Sequence, residues 1–194
     1  MASLPNPILT VEEYLDLDRR SERRSEFHDG EMFPIEASTI SHGRIQGNMY
    51  VALRTRLANT PCEALLSSVR VEIPNVHRYT YPDILISCGQ PRFEDEQLDT
   101  LLNPVVLIEV LSPSTKGFDR GEKFFLYQTI PSVREYILVT QNHVLVERFR
   151  RQNERQWLYE LLTSLDAELT IESAGCTIPL REIYAKVDLD PPLE

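Results

Sequence analysis

The sequence predicts an α/β fold in which a central mixed sheet is flanked by helices. Residues 39–58 carry apolar side chains at a helical period, which predicts a helix of several turns. Residues 105–111 form an apolar run that is typical of a central strand buried on both faces. At 194 residues, with 42% hydrophobic and 26% charged side chains, the chain suits one domain over residues 1–194.

The first part of the chain predicts a helix, a hairpin and a second helix. Thr10 can cap a short helix over residues 11–17, whose first turn is acidic. Residues 25–35 are interpreted as a hairpin, because the Asp-Gly pair at 29–30 favours a tight turn. This hairpin is expected as an extra N-terminal element outside the core, and the helix at 39–58 follows it.

The rest of the chain alternates between strand and helix patterns. A helix is predicted from Asp119, as its cap, to about residue 128, where an Ile-Pro pair ends it. Residues 88–103 are interpreted as a surface excursion and 178–187 as a partly helical last element. The strands after the helix should form a C-terminal β-meander that extends the sheet. Strands are predicted at 63–67, 69–73, 83–87, 105–111, 134–140, 143–150 and 156–162.

The charge balance limits the function classes. A net charge of −10 and a sequence pI near 4.9 argue against a protein that coats nucleic acid. A nuclease whose basic residues are concentrated on one face is still compatible with this charge. The sequence also contains two groups of neighbouring arginines, for each of which solvated surface charge is the simpler interpretation. One group is Arg19, Arg20, Arg23 and Arg24, and the other is Arg44, Arg54 and Arg56.

Localisation signals and cysteine spacing point to the cytoplasm. The N-terminus lacks the basic region and apolar core of a signal peptide, and no apolar stretch is long enough to span a membrane. Cys62, Cys88 and Cys176 are widely spaced and odd in number, without a CxxC pair. We therefore expect three reduced thiols.

Two carboxylates stand in apolar surroundings. Glu109 interrupts the apolar run at 105–111, and Asp83 opens the strand at 83–87 directly after Pro82. A buried ionised carboxylate costs several kcal/mol or more unless a cation, a metal or a raised pKa compensates it. Two such acids on neighbouring strands could hold Mg²⁺ or Mn²⁺, which prefer oxygen ligands.

The following helix supplies a candidate cation. Asp119, Lys123 and Tyr127 are spaced i, i+4, i+8 and should project from roughly one helix face. If that face lies against the sheet, Lys123 could reach the two acids, orient or deprotonate a water molecule and stabilise charge on a phosphate.

These residues carry a family resemblance. The pair Pro82-Asp83 followed by Glu109 on the next apolar strand resembles the PD-(D/E)XK nuclease superfamily. More narrowly, residues 10–150 resemble the Uma-type restriction endonucleases, a domain family abundant in cyanobacteria. The features that carry the narrower resemblance are residues 108–114, Asp119, Lys123, Tyr127, residues 135–136, Glu26, the turn at 29–30 and His42.

The resemblance implies a restriction-endonuclease-like α-β-β-β-α-β core and metal-dependent hydrolysis of DNA. It implies that Asp83 and Glu109 bind Mg²⁺ or Mn²⁺. The superfamily's lysine normally stands two residues after the second acid, where this chain has Leu111. Lys123 is therefore interpreted as its replacement, and Lys116 as the alternative.

Each candidate also has a structural interpretation. Glu109 could be a core acid paired with Lys123 or Arg120, Asp83 could bond its own backbone at the strand start, and Asp119 could be only a cap. Tyr127 could be a packed aromatic residue. His42 could be a ligand or a proton relay, and Glu26 a further acid near the metal.

Two functions are therefore carried forward. The first is a Mg²⁺- or Mn²⁺-dependent endonuclease acting on DNA, with a homodimer as a possible assembly. The alternative is a catalytically silent nuclease-fold domain that binds nucleic acid or a protein. A serine hydrolase, a glycine-rich phosphate loop and a glycoside hydrolase lack their sequence features.

Overall fold

The computed structural model describes residues 8–74, 76–112 and 116–190. The helices of these residues are α1 (Val11–Arg20), α2 (Ile40–Leu57), α3 (Lys116–Phe118), α4 (Phe124–Tyr127) and α5 (Leu180–Ile183). The strands are β1 (Ser25–His28), β2 (Glu31–Pro34), β3 (Cys62–Leu66), β4 (Arg70–Ile73), β5 (Arg78–Thr80), β6 (Ile84–Cys88), β7 (Thr100–Leu101), β8 (Val106–Leu111), β9 (Glu135–Thr140), β10 (Val146–Arg151), β11 (Trp157–Leu162), β12 (Glu168–Ile171) and β13 (Cys176–Pro179).

The central sheet has six strands in the order β11-β10-β9-β8-β6-β3. It is mixed, as the sequence predicts, because β8 and β9 are parallel while the other neighbours are antiparallel. Every residue of β8 is buried, which agrees with its apolar sequence. The meander from β9 to β11 extends the sheet on one side, so that prediction is also confirmed.

The two faces of the central sheet are covered by different elements. Side chains alternate along a strand, so Val106, Ile108 and Val110 of β8 pack in the core cluster that contains α2, α5 and the β12–β13 hairpin. Leu107 and Leu111 pack in the other cluster, with α4 and β4. Glu109 is two residues away from each of these along β8, so its side chain lies on the same face of the sheet, toward α4.

The N-terminal hairpin belongs to a second sheet with the strand order β2-β1-β5-β4-β7. Asp29 and Gly30 form its two-residue turn with φ values of 53° and 89°, as a primed hairpin turn requires. A Cβ atom on Gly30 would lie 2.3 Å from Cγ2 of Ile8, so the turn also needs glycine for space. Strands β5 and β7 were not predicted because each has only two or three residues.

One continuous right-handed helix contains the candidate lysine. It runs from α3 through a π-helical turn at Asp119–Lys123 into α4. The prediction that Asp119 caps this helix is wrong, because helical residues precede it from Lys116 onward and Asp119 lies inside the helix, only 4% exposed. The extra residue of a π turn changes the directions in which the side chains before and after it project from the helix.

Two cysteines differ from the prediction. Cys62 and Cys88 are register partners on β3 and β6, and their sulfur atoms form a disulfide. The expectation of three reduced thiols is therefore wrong for this pair, because strand pairing brings together residues separated by 26 positions. Cys176 is a buried free thiol. Among the described residues, no helix is long and apolar enough to cross a membrane.

Candidate active site

Strand pairing brings the two predicted metal ligands face to face. Strands β6 and β8 are antiparallel with Ile84 opposite Ile108, so Asp83 comes opposite Glu109. The backbone N–H of Asp83 donates to Glu109 Oε2 at 3.3 Å. In return, the N–H of Val110 donates to Asp83 Oδ2 at 2.7 Å. The two side chains are thus held at one end of adjacent strands by each other's backbone.

Lys123 reaches this pair from the π turn of the helix. Its Nζ lies 2.8 Å from Glu109 Oε1, 3.4 Å from Glu26 Oε1 and 3.7 Å from Asp119 Oδ1. The Lys123 side chain is only 7% exposed. Lys116, the alternative lysine, is exposed at the start of the same helix. Of the two lysines, the geometry thus favours Lys123.

Tyr127 orients the Glu109 carboxylate. Its hydroxyl donates to Glu109 Oε1 at 3.0 Å and lies 3.1 Å from the hydroxyl of Thr80. One oxygen of Glu109 therefore meets both the ammonium of Lys123 and this hydroxyl. The predicted alternative partner, Arg120, instead pairs with Glu147 at 2.6 Å.

Glu26 enters the site from β1. Its Oε1 accepts a hydrogen bond from the N–H of Tyr81 at 3.2 Å, and its Oε2 lies 3.7 Å from Nε2 of His28. His28 was not predicted as part of the site. The alternation of side chains along β1 could have indicated it, because Glu26 and His28 are two residues apart and therefore share one face of that strand.

Helix α2 supplies the contacts to Asp83. His42 Nε2 lies 2.9 Å from Asp83 Oδ1, and the side-chain amide of Gln46 donates to the Asp83 carbonyl at 2.9 Å. Thr39 caps the helix by accepting from the N–H of His42 at 3.1 Å. His42 and Gln46 act on the same residue because they are one helical turn apart.

The site holds more negative than positive charge. Three carboxylates lie within 3.7 Å of the Lys123 ammonium, those of Glu109, Glu26 and Asp119. A fourth acid, Asp83, contacts Glu109 through its backbone N–H. Burial raises the pKa of Glu109 to about 8, and the charges of Asp83 and Asp119 add to this rise while Lys123 opposes it. Burial alone would lower the pKa of Lys123, but Glu109 and Glu26 outweigh it and raise that pKa well above its ordinary value.

A cleft opens onto one side of this cluster. Its volume is about 780 Å³, and its lining includes Asp83, His42, Gln46, Ser67 and Tyr81. The Asp83 side chain is 18% exposed there, whereas the Glu109 side chain is 6% exposed. Asp83 therefore lies at the cleft surface and Glu109 lies behind it.

The donor atoms suit a hard divalent cation. Asp83 and Glu109 offer carboxylate oxygens at adjacent positions, and their mutual repulsion would be relieved by added positive charge. Within the described part of the chain, no group of three or more His, Cys, Asp or Glu side chains is arranged to hold a metal ion. Mg²⁺ and Mn²⁺ commonly take one or two carboxylates from a protein and complete their shells with water and phosphate oxygens.

The structure brings together every side chain that the sequence predicts for the site. It also adds contacts from residues that the sequence did not indicate, namely His28, Gln46, Thr80 and Tyr81. The predicted residues in contact with one another are Glu26, His42, Asp83, Glu109, Asp119, Lys123 and Tyr127.

Comparisons with known proteins support this picture. The model of the Uma2 family, described as "Putative restriction endonuclease", matches residues 11–180. Two similar proteins come from Synechocystis sp. PCC 6803, and both are described as uncharacterised. Protein sll1609 is 35% identical over 162 residues, which cover 84% of this chain and 92% of that protein. Protein slr1290 is 30% identical over 182 residues, covering 94% of each.

A solved structure shares the fold. The crystal structure of a "putative nuclease belonging to DUF820" from Anabaena variabilis superimposes with a TM-score of 0.74. The match covers 91% of this chain and 98% of that one, at 18% sequence identity. The restriction-endonuclease-like fold expected from the sequence is thereby confirmed.

Proposed function

We propose that this chain, which belongs to the Uma2 family, is a nuclease that hydrolyses phosphodiester bonds in DNA with the help of Mg²⁺ or Mn²⁺. The observation that carries the proposal is the convergence of three groups. Asp83 and Glu109 face each other across β6 and β8, and Lys123 lies 2.8 Å from Glu109. An acid pair beside an ammonium suits a reaction in which charge builds up on a phosphate.

Asp83 and Glu109 would hold the cation. When bound, Mg²⁺ or Mn²⁺ would supply Lewis-acid polarisation of a phosphate oxygen and make a water molecule easier to deprotonate. The two carboxylates are prepared for this role by their neighbours. His42 and the Val110 N–H fix the oxygens of Asp83, while Tyr127 fixes one oxygen of Glu109.

Lys123 would stabilise the reacting phosphate as a cation. Its carboxylate neighbours favour the charged ammonium, so it suits hydrogen-bond donation and charge stabilisation better than proton removal. In a site shielded from water, an ammonium at this place interacts strongly with negative charge that develops in the transition state. Glu26 and Asp119 would hold Lys123 in position.

A second candidate is the catalytically silent domain. It is favoured by one observation: Glu109 already has a buried cation and a hydroxyl as partners. Such an acid could be purely structural. The two candidates differ in their response to metal, because only a metal site should gain stability from Mn²⁺ by mass action and lose that gain in Asp83→Asn.

The direct test is cleavage of single-stranded and duplex DNA in Mg²⁺ or Mn²⁺ by the wild type and by Glu109→Gln. Glu147→Gln is the matched control, because Glu147 is also a buried acid with a cationic partner but lies on β10 beside Arg120. We expect cleavage by the wild type and by Glu147→Gln, with loss in Glu109→Gln while circular dichroism shows retained folding. Full cleavage by Glu109→Gln would refute the proposal.

A further inference from the structure

We propose that the cleft beside Asp83 receives a single unpaired DNA strand rather than an intact duplex. This inference rests on the proposed function and adds the form of its substrate. It comes from three properties of the cleft: the depth of the reactive groups, the number of cations and the apolar character of one segment of the lining.

The reactive groups lie in a recess. Side-chain exposure falls from 18% at Asp83 to 6% at Glu109 and 7% at Lys123. The volume of about 780 Å³ lies within the range of small-ligand pockets. A flexible single strand can bend its backbone into such a recess, whereas a duplex must bring two strands and their stacked pairs to the same opening.

The cations of the cleft are few. Arg23 and Arg24 line it, together with the acid Glu36. Nη1 of Arg24 also lies 3.8 Å from Oδ2 of the buried Asp18, so Arg24 already has one acidic partner. Other arginines of this part of the molecule are committed elsewhere: Arg19 pairs with Asp95 and Asp99, and Arg78 pairs with Asp29 and Glu122.

A duplex brings one negative charge per roughly 1.7 Å of its axis, and tight binding commonly uses about 6–10 phosphate contacts. Two arginines on a protein of net charge −10 offer little against that density. A single strand carries half the charge per length, so the same two arginines neutralise a larger share of it.

The segment between β2 and α2 supplies an apolar surface. Pro34, Ile35 and Ala37 line the cleft, and Ile35 is 42% exposed. The faces of DNA bases are covered by stacking inside a duplex and become accessible in an unpaired strand. An exposed apolar surface beside two arginines therefore matches a strand whose bases are free to lie against protein.

The test is equilibrium binding, measured by fluorescence anisotropy in Mg²⁺. The probes are a labelled mixed-sequence strand of about 16 nucleotides and the blunt duplex of the same sequence. Both carry phosphorothioate linkages, which keep the charge and resist hydrolysis, and gels confirm that they stay intact. We expect the single strand to bind at least about tenfold more tightly than the duplex.

Variants separate the charge contribution from the apolar one. The double variant Arg23→Gln/Arg24→Gln should lower the single-strand affinity and reduce the slope of log K against log salt by about 1.4, at about 0.7 per phosphate contact. Ile35→Ser should lower the affinity and leave the slope unchanged. Arg20→Gln is the control, because Arg20 is 75% exposed, pairs with Asp16 and is absent from the cleft lining.

The outcomes distinguish this inference from the proposed function. Equal or tighter duplex binding, or a salt slope unaffected by the loss of Arg23 and Arg24, would overturn the single-strand inference even if the protein cleaves DNA. Tight single-strand binding that depends on these arginines would support it even if no DNA is cleaved, in which case the nuclease proposal fails alone.

Discussion

Two buried clusters of charged side chains in the described part of the molecule are built differently. In the first, here called the arginine cluster, Arg70 and Asp18 are both fully buried and form an ion pair at 2.9 Å. Arg70 also pairs with Asp99 at 2.6 Å, and Asp99 pairs with Arg19 at 2.9 Å. Asp95 also pairs with Arg19 at 2.6 Å, and Arg24 lies 3.8 Å from Asp18, so three acids meet three arginines. Tyr81 donates a further hydrogen bond to Asp18 at 2.6 Å.

The second cluster, here called the acidic cluster, is unbalanced. The carboxylates of Glu109, Glu26 and Asp119 lie around Lys123, and Asp83 contacts Glu109, so the acids of this cluster outnumber its lysine. The effect on ionisation differs accordingly. Burial and neighbouring acids raise the pKa of Glu109 to about 8. Burial opposes the ionisation of Asp99, but Arg19 and Arg70 prevail and lower its pKa.

The difference leads to different expectations for variants of the two clusters. In the balanced cluster each buried charge has an opposite charge as its partner, so removing one partner leaves a buried charge with less compensation. In a cluster with excess acid, repulsion among the carboxylates can be relieved by a proton, as the raised pKa of Glu109 indicates, or by an added cation such as the proposed metal ion. The variants below test this contrast.

The largest effect is expected from Arg70→Met. The substitution removes the closest cation of the fully buried Asp18, so the free energy of unfolding should fall by about 3–5 kcal/mol, whereas Asp99 keeps its pair with Arg19. Urea unfolding measures this loss, with Arg20→Met as the exposed control. A loss below about 1 kcal/mol, the range of surface ion pairs, would show that the arginine cluster does not stabilise the fold.

Lys123→Gln tests the cation of the acidic cluster. Loss of charge stabilisation at the phosphate should slow DNA cleavage by about 10²–10³-fold, as for other donors to a developing anion. Lys116→Gln, the control, should leave the rate unchanged because Lys116 is exposed at the helix start. Single-turnover rates measure both, and an equal loss in the two variants would contradict the assignment of Lys123.

The clusters should also give opposite slopes of stability against pH. Glu109 has an ordinary pKa of 4.5 and a folded-state pKa of about 8, so the folded state binds this proton more tightly. The contribution of Glu109 to the free energy of unfolding is fully present below pH 4.5 and is lost as pH rises through 8. Asp99 has a lowered pKa, so its contribution is present above its ordinary value of 3.8 and is lost as pH falls.

Urea unfolding of metal-free protein, in a series that extends below pH 3.8 and above pH 8, measures the two contributions. Glu109→Gln should remove the decline in stability toward pH 8 and leave the acid-side loss in place. An unchanged decline in this variant would mean that another group causes it.

The smallest effect is expected from replacing one acid of the unbalanced cluster. Asp83→Asn removes the negative charge that contacts His42, which is unfavourable, and it also removes the repulsion between Asp83 and Glu109, which is favourable. The free energy of unfolding without metal should therefore change by less than about 0.5 kcal/mol. Asp18→Asn, the matched change in the arginine cluster, should cost about 1–3 kcal/mol because it weakens contacts to buried Arg70. A larger loss in Asp83→Asn than in Asp18→Asn would reverse the comparison.

The sequence predicted the acidic cluster better than the arginine cluster, and the reason is physical. Glu109 was visible because a charge inside an apolar strand requires compensation wherever the partner lies. Asp18 gave no such signal, since it lies among charged residues of α1 and its partner Arg70 is 52 positions away. Only the packing of α1 against β4 and Tyr81 buries it.

Long regular elements were predicted and short or locally unusual ones were not. Helix α2 and strand β8 have repeated patterns over many residues, so their limits were close to those observed. Strands β5 and β7 are too short to show alternation. Asp119 was placed as a cap because its residue type favours that position, whereas the helix in fact continues through it as a π turn.

Calorimetric titration of Mn²⁺ into the metal-free protein tests the central claim that the acidic cluster is a metal site. The wild type and Glu147→Gln should bind Mn²⁺ stoichiometrically, because each keeps Asp83 and Glu109 facing each other beside the cleft. Glu109→Gln should not bind. Equal binding by Glu109→Gln, or no binding by the wild type, would contradict the account and favour the silent domain.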